Sequence, residues 1–227
     1  MKQKIIYICM LFVSLAFFSC SSDEEGYSCN KEINVWVKEN LSVIREMTRN
    51  DWLNLDENIK RAAYTAFTPE QKFLFWKEKM NEVLTLDWNE AEVILIELMY
   101  KTISNNPQWF AIDFLKNEEA YESFELFIYK WVENAENLGW NNSVIGSMIA
   151  SGNKMLNTKG ELLISDTSSI IRLKNNAEEP CDCLLNNSFM FNKCPAPFCS
   201  SKLLCDEDNA ERCGALWTVK CDGLCVL

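Results

Sequence analysis

The chain has 227 residues, a formal net charge of −11 and no histidine. An acidic chain has no electrostatic attraction to nucleic acid, whose phosphates repel it, and this one lacks the polybasic stripe that draws peptides onto anionic lipid. Without histidine, Ser-His-Asp triads, Cys-His dyads and most zinc-hydrolase sites are excluded. We therefore expect a protein that is not an enzyme, that needs no cofactor or metal, and that does not bind nucleic acid.

Residues 1–19 have the features of an export signal. Lys2 and Lys4 give a positive start, and the apolar run that follows them is too short to span a membrane comfortably. Cys20 follows this run directly, an arrangement that resembles the lipobox of bacterial lipoproteins, where the cysteine becomes the lipidated first residue. The sequence therefore predicts a lipoprotein signal peptide that is removed before Cys20. The alternative is an ordinary secretory signal in which Cys20 is incidental.

Residues 20–29 predict an acidic, lipid-anchored tether. The stretch SSDEEG after Cys20 resembles the acidic surface-export signals of Bacteroides-type lipoproteins. The alternative for this stretch is a solvated spacer. Together with the signal, it predicts an outer-membrane lipoprotein that faces the cell exterior and contacts its membrane through the lipid on Cys20.

Residues 30–150 predict a helical domain, because apolar residues recur at helical spacing through most of this range. The clearest start is TPEQKFLFWKEKMNEVL, in which Thr68 can cap the helix, Pro69 suits its first turn and Gln71 completes a capping box. The segment NEAEVILIELMYKTI is apolar nearly all round after its acidic first turn, which favours a central helix. Six helices are predicted, over 33–47, over 52–67 and in the segments that begin at Thr68, Asn89, Asn106 and Asn117, with a seventh over 144–156.

Six tryptophans accompany these helices and favour core packing over the alternative, a carbohydrate-binding face. They are Trp36, Trp52, Trp76, Trp88, Trp109 and Trp131. Carboxylate pairs such as Glu118 with Glu119, or Asp87 with Glu90, are what glycoside hydrolysis needs. The chain has 33 acidic residues, however, so such pairs arise by chance, and acids in first turns also suit the helix dipole.

The chain changes character after the helical domain. Residues 151–180 contain ELLISDTSSIIRL, which is rich in β-branched residues and predicts either a short strand pair packed on the helices or a linker. Residues 181–227 cannot bury enough apolar surface to fold unaided, and in an oxidising compartment each disulfide would contribute about 2–4 kcal/mol. Eight cysteines in this range are predicted to form disulfides: Cys181, Cys183, Cys194, Cys199, Cys205, Cys213, Cys221 and Cys225.

The predicted fold class is therefore mainly α, with a helical domain of six to seven helices followed by a small disulfide-rich C-terminal module. The sequence does not select among the possible cysteine pairings, and Cys29 lies outside the even set. A zinc module is the competing interpretation, but the spacings Cys-x-Cys, Cys-x4-Cys and Cys-x3-Cys do not match paired Cys-x2-Cys knuckles.

The cysteine order carries a resemblance to a known family. After Cys181 and Cys183 come dispersed cysteines, then Cys213-Gly214 with Trp217, then two closely spaced final cysteines. This order, and the plan of lipoprotein signal, helical region and eight-cysteine tail, resembles the bacteriocin fulvocin C-related proteins. The likeness to the bacteriocin itself covers the final fifth of the chain. The resemblance implies an antimicrobial or antagonistic role.

These observations lead to alternative functional hypotheses. In the first, the disulfide-rich module is a tethered or released antibacterial module that contacts a receptor or the membrane of another bacterial cell. Residues 181–227, which we call the tail, contain six acidic and four basic residues and have a net charge of −2, so receptor contact is favoured over membrane contact. In the second, it is a non-toxic surface protein that binds a host or neighbour ligand; a third is an immunity or envelope-structural protein. The candidate contact residues are the apolar side chains Phe189, Phe191, Phe198, Leu203, Leu204, Trp217, Val226 and Leu227.

Overall fold

The structure is a computed structural model that describes residues 26–28, 30–164, 180–181, 198–200, 212–220 and 223–226. Within these residues the protein is mainly helical, which confirms that part of the predicted fold class. The α-helices are α1 (Lys31–Glu39), α2 (Leu41–Ile44), α3 (Arg49–Leu53), α4 (Glu57–Thr65), α5 (Pro69–Leu84), α6 (Glu90–Asn105), α7 (Glu118–Asn137) and α8 (Asn142–Ile149). Two 3₁₀ turns, Pro107–Phe110 and Phe114–Lys116, connect α6 to α7.

Reciprocal hydrogen bonds between polar residues explain where α5 and α6 begin. The Thr68 hydroxyl accepts from the backbone N–H of Gln71, and the Gln71 side chain accepts from the backbone N–H of Thr68 at 3.0 Å. The capping box predicted for α5 is therefore confirmed. Asn89 and Glu92 form the same pair at the start of α6, whose acidic first turn also suits the helix dipole.

The first two predicted helices are each divided in the structure. The range 33–47 is interrupted at Asn40, whose side chain donates to a carbonyl one turn earlier at 2.8 Å and helps to end α1. The range predicted as 52–67 begins earlier, because Thr48 and Asp51 form a capping box that starts α3. A break then separates α3 from α4.

Two further predicted helices differ from the structure. The segment that begins at Asn106 forms 3₁₀ turns instead of an α-helix, because Asn106 makes no side-chain cap and the backbone is extended again at Ala111. The helix predicted over 144–156 ends at Ile149. The chain beyond it turns into the core, where Gly152 lies too close to neighbouring rings to carry a side chain.

Helices α5 and α6 pack on each other. The prediction that α6 is a central helix is wrong, because only one face of it is buried and Ile94 and Leu98 are exposed. The indole N–H of Trp131 joins α7 to α6 by donating to the Leu95 carbonyl at 2.9 Å. Core packing is confirmed for five of the six tryptophans, which are buried: Trp52, Trp76, Trp88, Trp109 and Trp131. Trp36 is half-buried against the same core.

Residues 151–153, Met155 and Gly160 are buried against the helices, whereas Leu163 and Ile164 are exposed. Met155 and Leu162 form an isolated antiparallel bridge, and Met155 is fully buried. Of the stretch ELLISDTSSIIRL, on which the strand-pair and linker interpretations rest, the structure describes only residues 161–164, so the choice between the two stays a prediction. Residues 165–179 lie outside the described residues.

Short strands occur in the described parts of the tail. They are β1 (Pro180–Cys181), β2 (Phe198–Ser200), β3 (Arg212–Cys213), β4 (Val219–Lys220) and β5 (Gly223–Val226). Strand β5 pairs antiparallel with β1 on one side and β2 on the other, in a register that places Cys199 opposite Cys225. Strands β3 and β4 pair antiparallel and flank the turn that enters the helical core.

Candidate functional site

The tail enters the helical domain through residues 213–218, which we call the docked turn. Its Trp217 is 7% exposed and packs among four rings supplied by α3, α4 and α5. The ring-centroid distances from Trp217 are 5.9 Å to Trp52, 4.8 Å to Tyr64, 6.2 Å to Phe75 and 5.7 Å to Trp76. We call these five rings the tail cluster. Pairs of this kind add about 0.5–1.5 kcal/mol each to the area that they bury.

Hydrogen bonds satisfy the polar atoms of the tail cluster. The indole N–H of Trp217 donates to the Ala150 carbonyl at 3.1 Å. The Tyr64 hydroxyl accepts from the indole N–H of Trp76 at 2.9 Å and donates to the Leu216 carbonyl at 3.3 Å. Burial raises the pKa of Tyr64, so the hydroxyl keeps the proton that it donates. The docked turn is thus held by direction-specific bonds as well as by apolar contact.

The backbone of the docked turn is in an unfavourable conformation. Leu216 and Trp217 have φ values of 52° and 50°, in the left-handed region that non-glycine residues rarely adopt. Such residues cost of order 1–3 kcal/mol each and persist only where the surroundings hold them. Gly214, with φ 75°, supplies one left-handed position without that cost. Packing of Trp217 in the core is the interaction that can offset the strain.

Arg61 of α4 links the tail cluster to a disulfide. Its guanidinium carbon lies 5.3 Å from the centroid of the Trp217 ring, within cation–π range. Its Nη1 donates toward the Arg212 carbonyl at 3.4 Å and lies 3.3 Å from the Cys213 sulfur. Cys213 is disulfide-bonded and 4% exposed. The disulfide and the buried tryptophan therefore belong to one structural unit.

A buried ionic network adjoins the tail cluster. Arg49 pairs with Glu82 at 2.8 Å and donates to the Gly152 carbonyl at 2.9 Å. The other Glu82 oxygen lies 3.8 Å from the Lys79 ammonium and accepts from the backbone N–H of Met155 at 3.1 Å. Glu82 therefore compensates two buried cations and also anchors the chain that leaves α8.

The network continues through Asn153. Lys60 lies 2.7 Å from Glu57 and donates to the Asn153 side-chain oxygen at 3.0 Å. The Asn153 amide donates to both Glu57 oxygens at 3.0 Å, and Lys79 donates to the Asn153 backbone carbonyl. Charged residues from α3, α4 and α5 thus converge on residues 151–155 and hold this segment in place.

Gly152 is where the ionic network and the tail cluster meet. A Cβ at this position would lie 2.5 Å from Phe75 Cζ and 2.7 Å from Trp52 Cη2. The same two rings lie beside network cations, since the Arg49 guanidinium is 5.5 Å from the Phe75 centroid and the Lys60 ammonium is 5.2 Å from the Trp52 centroid. Only a residue without a side chain fits here, so glycine at this position allows the backbone of residues 151–155 to lie directly against the rings of Phe75 and Trp52.

The predicted site residues fall into three groups in the structure. Cys213 and Trp217 are described with their side chains and are both buried. Cys213 is disulfide-bonded, and the Trp217 ring fills a space in the helical core and is not exposed to a partner. A second group lies in short strands, for which the structure describes the backbone: Cys181, Cys199, Cys225, Phe198 and Val226. Outside the described residues lie Cys20, Cys29, Cys183, Cys194, Cys205, Cys221, Phe189, Phe191, Leu203, Leu204 and Leu227.

Sequence reasoning did not predict Arg61, Tyr64 or the network cations as parts of a site. One signal was present for Lys79, a charge that falls within the apolar stripe of α5 beside Trp76 and Met80. A buried lysine needs a compensating partner, so such a charge indicates an internal ion pair. For Arg61 and Tyr64 no local pattern indicates a partner in the tail.

The chemistry of this site is packing and ion pairing. Burial raises the pKa of Tyr64, and hydrogen bonds from Thr48 lower the pKa of Asp51, so neither group moves toward neutral pH, where a general acid or base works best. Among the residues that the structure describes, no group of three or more His, Cys, Asp or Glu side chains could hold a metal ion. No helix in the described ranges is long and apolar enough to cross a bilayer.

Comparison with protein families, curated proteins and solved structures finds no match for this chain.

Proposed function

We propose that this protein is a lipid-anchored cell-surface protein that binds a receptor on another bacterial cell through its cysteine-rich tail, without catalysis. The observation that supports this proposal is the docked turn. Because Trp217 is fixed among rings of α3, α4 and α5, the helical domain acts as a support for the tail. Binding groups held on a rigid support lose less entropy when they meet a partner.

The disulfide at Cys213 supports the export step of the proposal. Disulfides persist in oxidising compartments, outside the cytoplasm. This agrees with the signal predicted before Cys20 and with the acidic tether after it. The same lipid that anchors the protein would place the helical domain between the membrane and the tail.

Receptor contact is favoured over membrane attack. The tail has a net charge of −2, so it lacks the attraction that brings cationic peptides to anionic lipid. Trp217, the aromatic residue best suited to a membrane interface, is occupied in the core. The proposed receptor contact is therefore made by residues of the tail other than Trp217.

Antagonism of the target cell is the second candidate. The cysteine order that resembles the bacteriocin fulvocin C-related proteins favours it, and it requires the same receptor contact. Antagonism and harmless binding differ only in what happens after contact, so one experiment can separate them.

The test uses the chain without its signal, with Cys20→Ser, purified in oxidised form. Labelled protein is mixed with related bacteria, cell binding is measured by flow cytometry, and the same sample is spotted on lawns. Binding with growth inhibition supports antagonism, and binding without inhibition supports a harmless surface binder. A protein that binds no strain and inhibits none overturns the proposal in favour of an immunity or envelope-structural role.

Two controls accompany this test. A sample reduced and alkylated before mixing should lose binding, because the tail depends on its disulfides. In cells that make the full chain, a lipid label should appear on the wild-type protein and be absent from Cys20→Ser. A wild-type protein without lipid would remove the surface anchor from the proposal.

A further inference from the structure

The docked turn joins a covalent cross-link and a strained backbone at one place. Cys213 is disulfide-bonded at the start of the turn, and Trp217 is packed in the core near its end. Between them, Leu216 has a φ of 52°, and Trp217 itself has a φ of 50°. A cross-link that limits the conformations of this turn favours the strained arrangement, because fewer alternatives compete with it.

We propose that the Cys213 disulfide and the docking of Trp217 form a redox-sensitive latch. With the disulfide closed, the turn is held in the helical core; with the disulfide reduced, Trp217 leaves its place among the rings and the tail is released from that contact. The latch rests on the Cys213 disulfide and on the packing of residues 213–218, and it does not require the proposed receptor. It holds whatever the tail binds.

The reductant is an external dithiol. One thiolate of the dithiol attacks the sulfur bonded to Cys213, the S–S bond breaks, and Cys213 leaves as a thiolate that takes a proton from water. The cysteine that was bonded to Cys213 is now joined to the dithiol in a mixed disulfide. The second thiolate of the dithiol attacks the dithiol sulfur of this bond, so that the cysteine leaves and the dithiol closes its own disulfide. Two electrons pass from the dithiol to the protein. Arg61 Nη1, 3.3 Å from the Cys213 sulfur, is placed to stabilise the leaving thiolate.

The latch makes a reciprocal prediction. If closing the disulfide favours docking, then docking must favour the closed disulfide by the same factor, because the two equilibria are linked. Removing the docked ring should therefore make the Cys213 disulfide easier to reduce, even though Trp217 is not a cysteine. A disulfide without coupling to docking would not respond.

The experiment is a redox titration of the full chain without its signal, carrying Cys20→Ser. Samples are equilibrated in dithiothreitol buffers of increasing reducing strength, and the reduced fraction of Cys213 is measured by differential alkylation and mass spectrometry. We expect Trp217→Ala to become reduced at a dithiol ratio about a hundredfold lower than the parent protein, because reduction releases the ring only if the coupling is as large as the packing that is lost. Equal midpoints for the two proteins would overturn the latch.

A matched control separates local release from unfolding. Trp109 is also a buried tryptophan, but it packs on Phe124 and Phe127, away from the tail cluster. Trp109→Ala should lower overall stability and leave the Cys213 midpoint unchanged. If Trp109→Ala shifts the midpoint as far as Trp217→Ala does, reduction proceeds by unfolding of the whole domain and the latch is wrong.

Hydrogen exchange gives an independent measurement. In the oxidised protein, the backbone N–H groups of Trp217 and Thr218 donate to Gly214 and Ala215 inside the turn. After reduction these amides should exchange faster, while the amides of α5 stay protected. Protection that survives reduction in the turn, or that is lost in α5 as well, would count against the latch.

Discussion

Two aromatic clusters of this protein are assembled in opposite ways. One, which we call the local cluster, is built from residues close together in sequence: the ring centroids of Trp109 and Phe124 are 4.9 Å apart, and those of Phe114 and Phe124 are 5.7 Å apart. The tail cluster instead joins Trp217, near the end of the chain, to rings of α3, α4 and α5. The local cluster closes one connection between helices, whereas the tail cluster ties two predicted modules together.

The comparison shows that the helical domain and the tail share one core. Ala215, Leu216 and Trp217 are buried in the same hydrophobic cluster as the helices. Disulfides explain how a short segment keeps its own shape, but they do not explain why its turn lies in another domain's core. The rings and charges of α3, α4 and α5 supply that explanation.

The largest effect is expected from Trp217→Ala, which removes the tail's contribution to the shared core. Truncating a buried tryptophan costs about 3–5 kcal/mol of unfolding free energy. The measurement is denaturant unfolding of the oxidised chain, with Trp109→Ala of the local cluster as the comparison. Similar losses for both variants would show that the two clusters carry similar weight. A loss below about 1 kcal/mol for Trp217→Ala alone would show that the tail is only appended to the helices.

The next effect is expected from Glu82→Ala, which tests the charges beside the tail cluster. The change leaves Arg49 and Lys79 buried without their shared carboxylate, and breaking a buried pair in this way costs about 3 kcal/mol. Glu78, exposed on the same helix, provides the control, because Glu78→Ala should change the unfolding free energy by less than about 0.5 kcal/mol. Equal changes in unfolding free energy for the two substitutions would show that the ionic network does not stabilise the protein.

Local features could be predicted from the sequence because local chemistry determines them. The start of α5 depends on Thr68 and Gln71, three residues apart, and its buried face follows from apolar spacing along one helix. The mainly helical class follows from the same kind of signal, repeated along residues 30–150. The division of the predicted first helix at Asn40 was missed because a side chain competes there with continuation of the helix.

Long-range features could not be predicted in this way. Periodicity indicates that Trp76 faces a core, but it does not say which distant segment covers it. Trp217 stands between cysteines in a short segment, so it suggested an exposed contact. Its burial depends on positive φ values at Leu216 and Trp217, for which the sequence offers no glycine as a signal. Arg61 likewise meets Trp217 only in the folded chain, and Lys79, although Glu82 is three residues away, meets the Asn153 carbonyl only there.

A smaller effect is expected from Gly152→Ala, which tests how tightly the network and the tail cluster fit. The added Cβ would lie 2.5 Å from Phe75 Cζ, and overpacking of this kind costs about 1–3 kcal/mol. Gly146→Ala is the matched control, because a Cβ there would meet no atom within 4 Å apart from its chain neighbours and its own helix backbone, and alanine is the better helix residue. Thermal unfolding should show a lower midpoint for the first variant and an equal or higher one for the second. A tolerated Gly152→Ala would mean that the rings of the tail cluster can move apart.

The smallest effect is expected at α3, the helix that carries Arg49 into the ionic network and Trp52 into the tail cluster. Hydrogen bonds from the Thr48 hydroxyl and backbone hold the pKa of Asp51 below its ordinary value. A carboxyl whose pKa is lower in the folded protein adds stability above its unfolded pKa, and that contribution is lost as the pH falls through the folded pKa. The unfolding free energies of the wild type and Asp51→Asn should therefore differ at neutral pH and converge in acid. A difference that stays constant from neutral to acidic pH would show that this local cap does not support the long-range cluster through its charge.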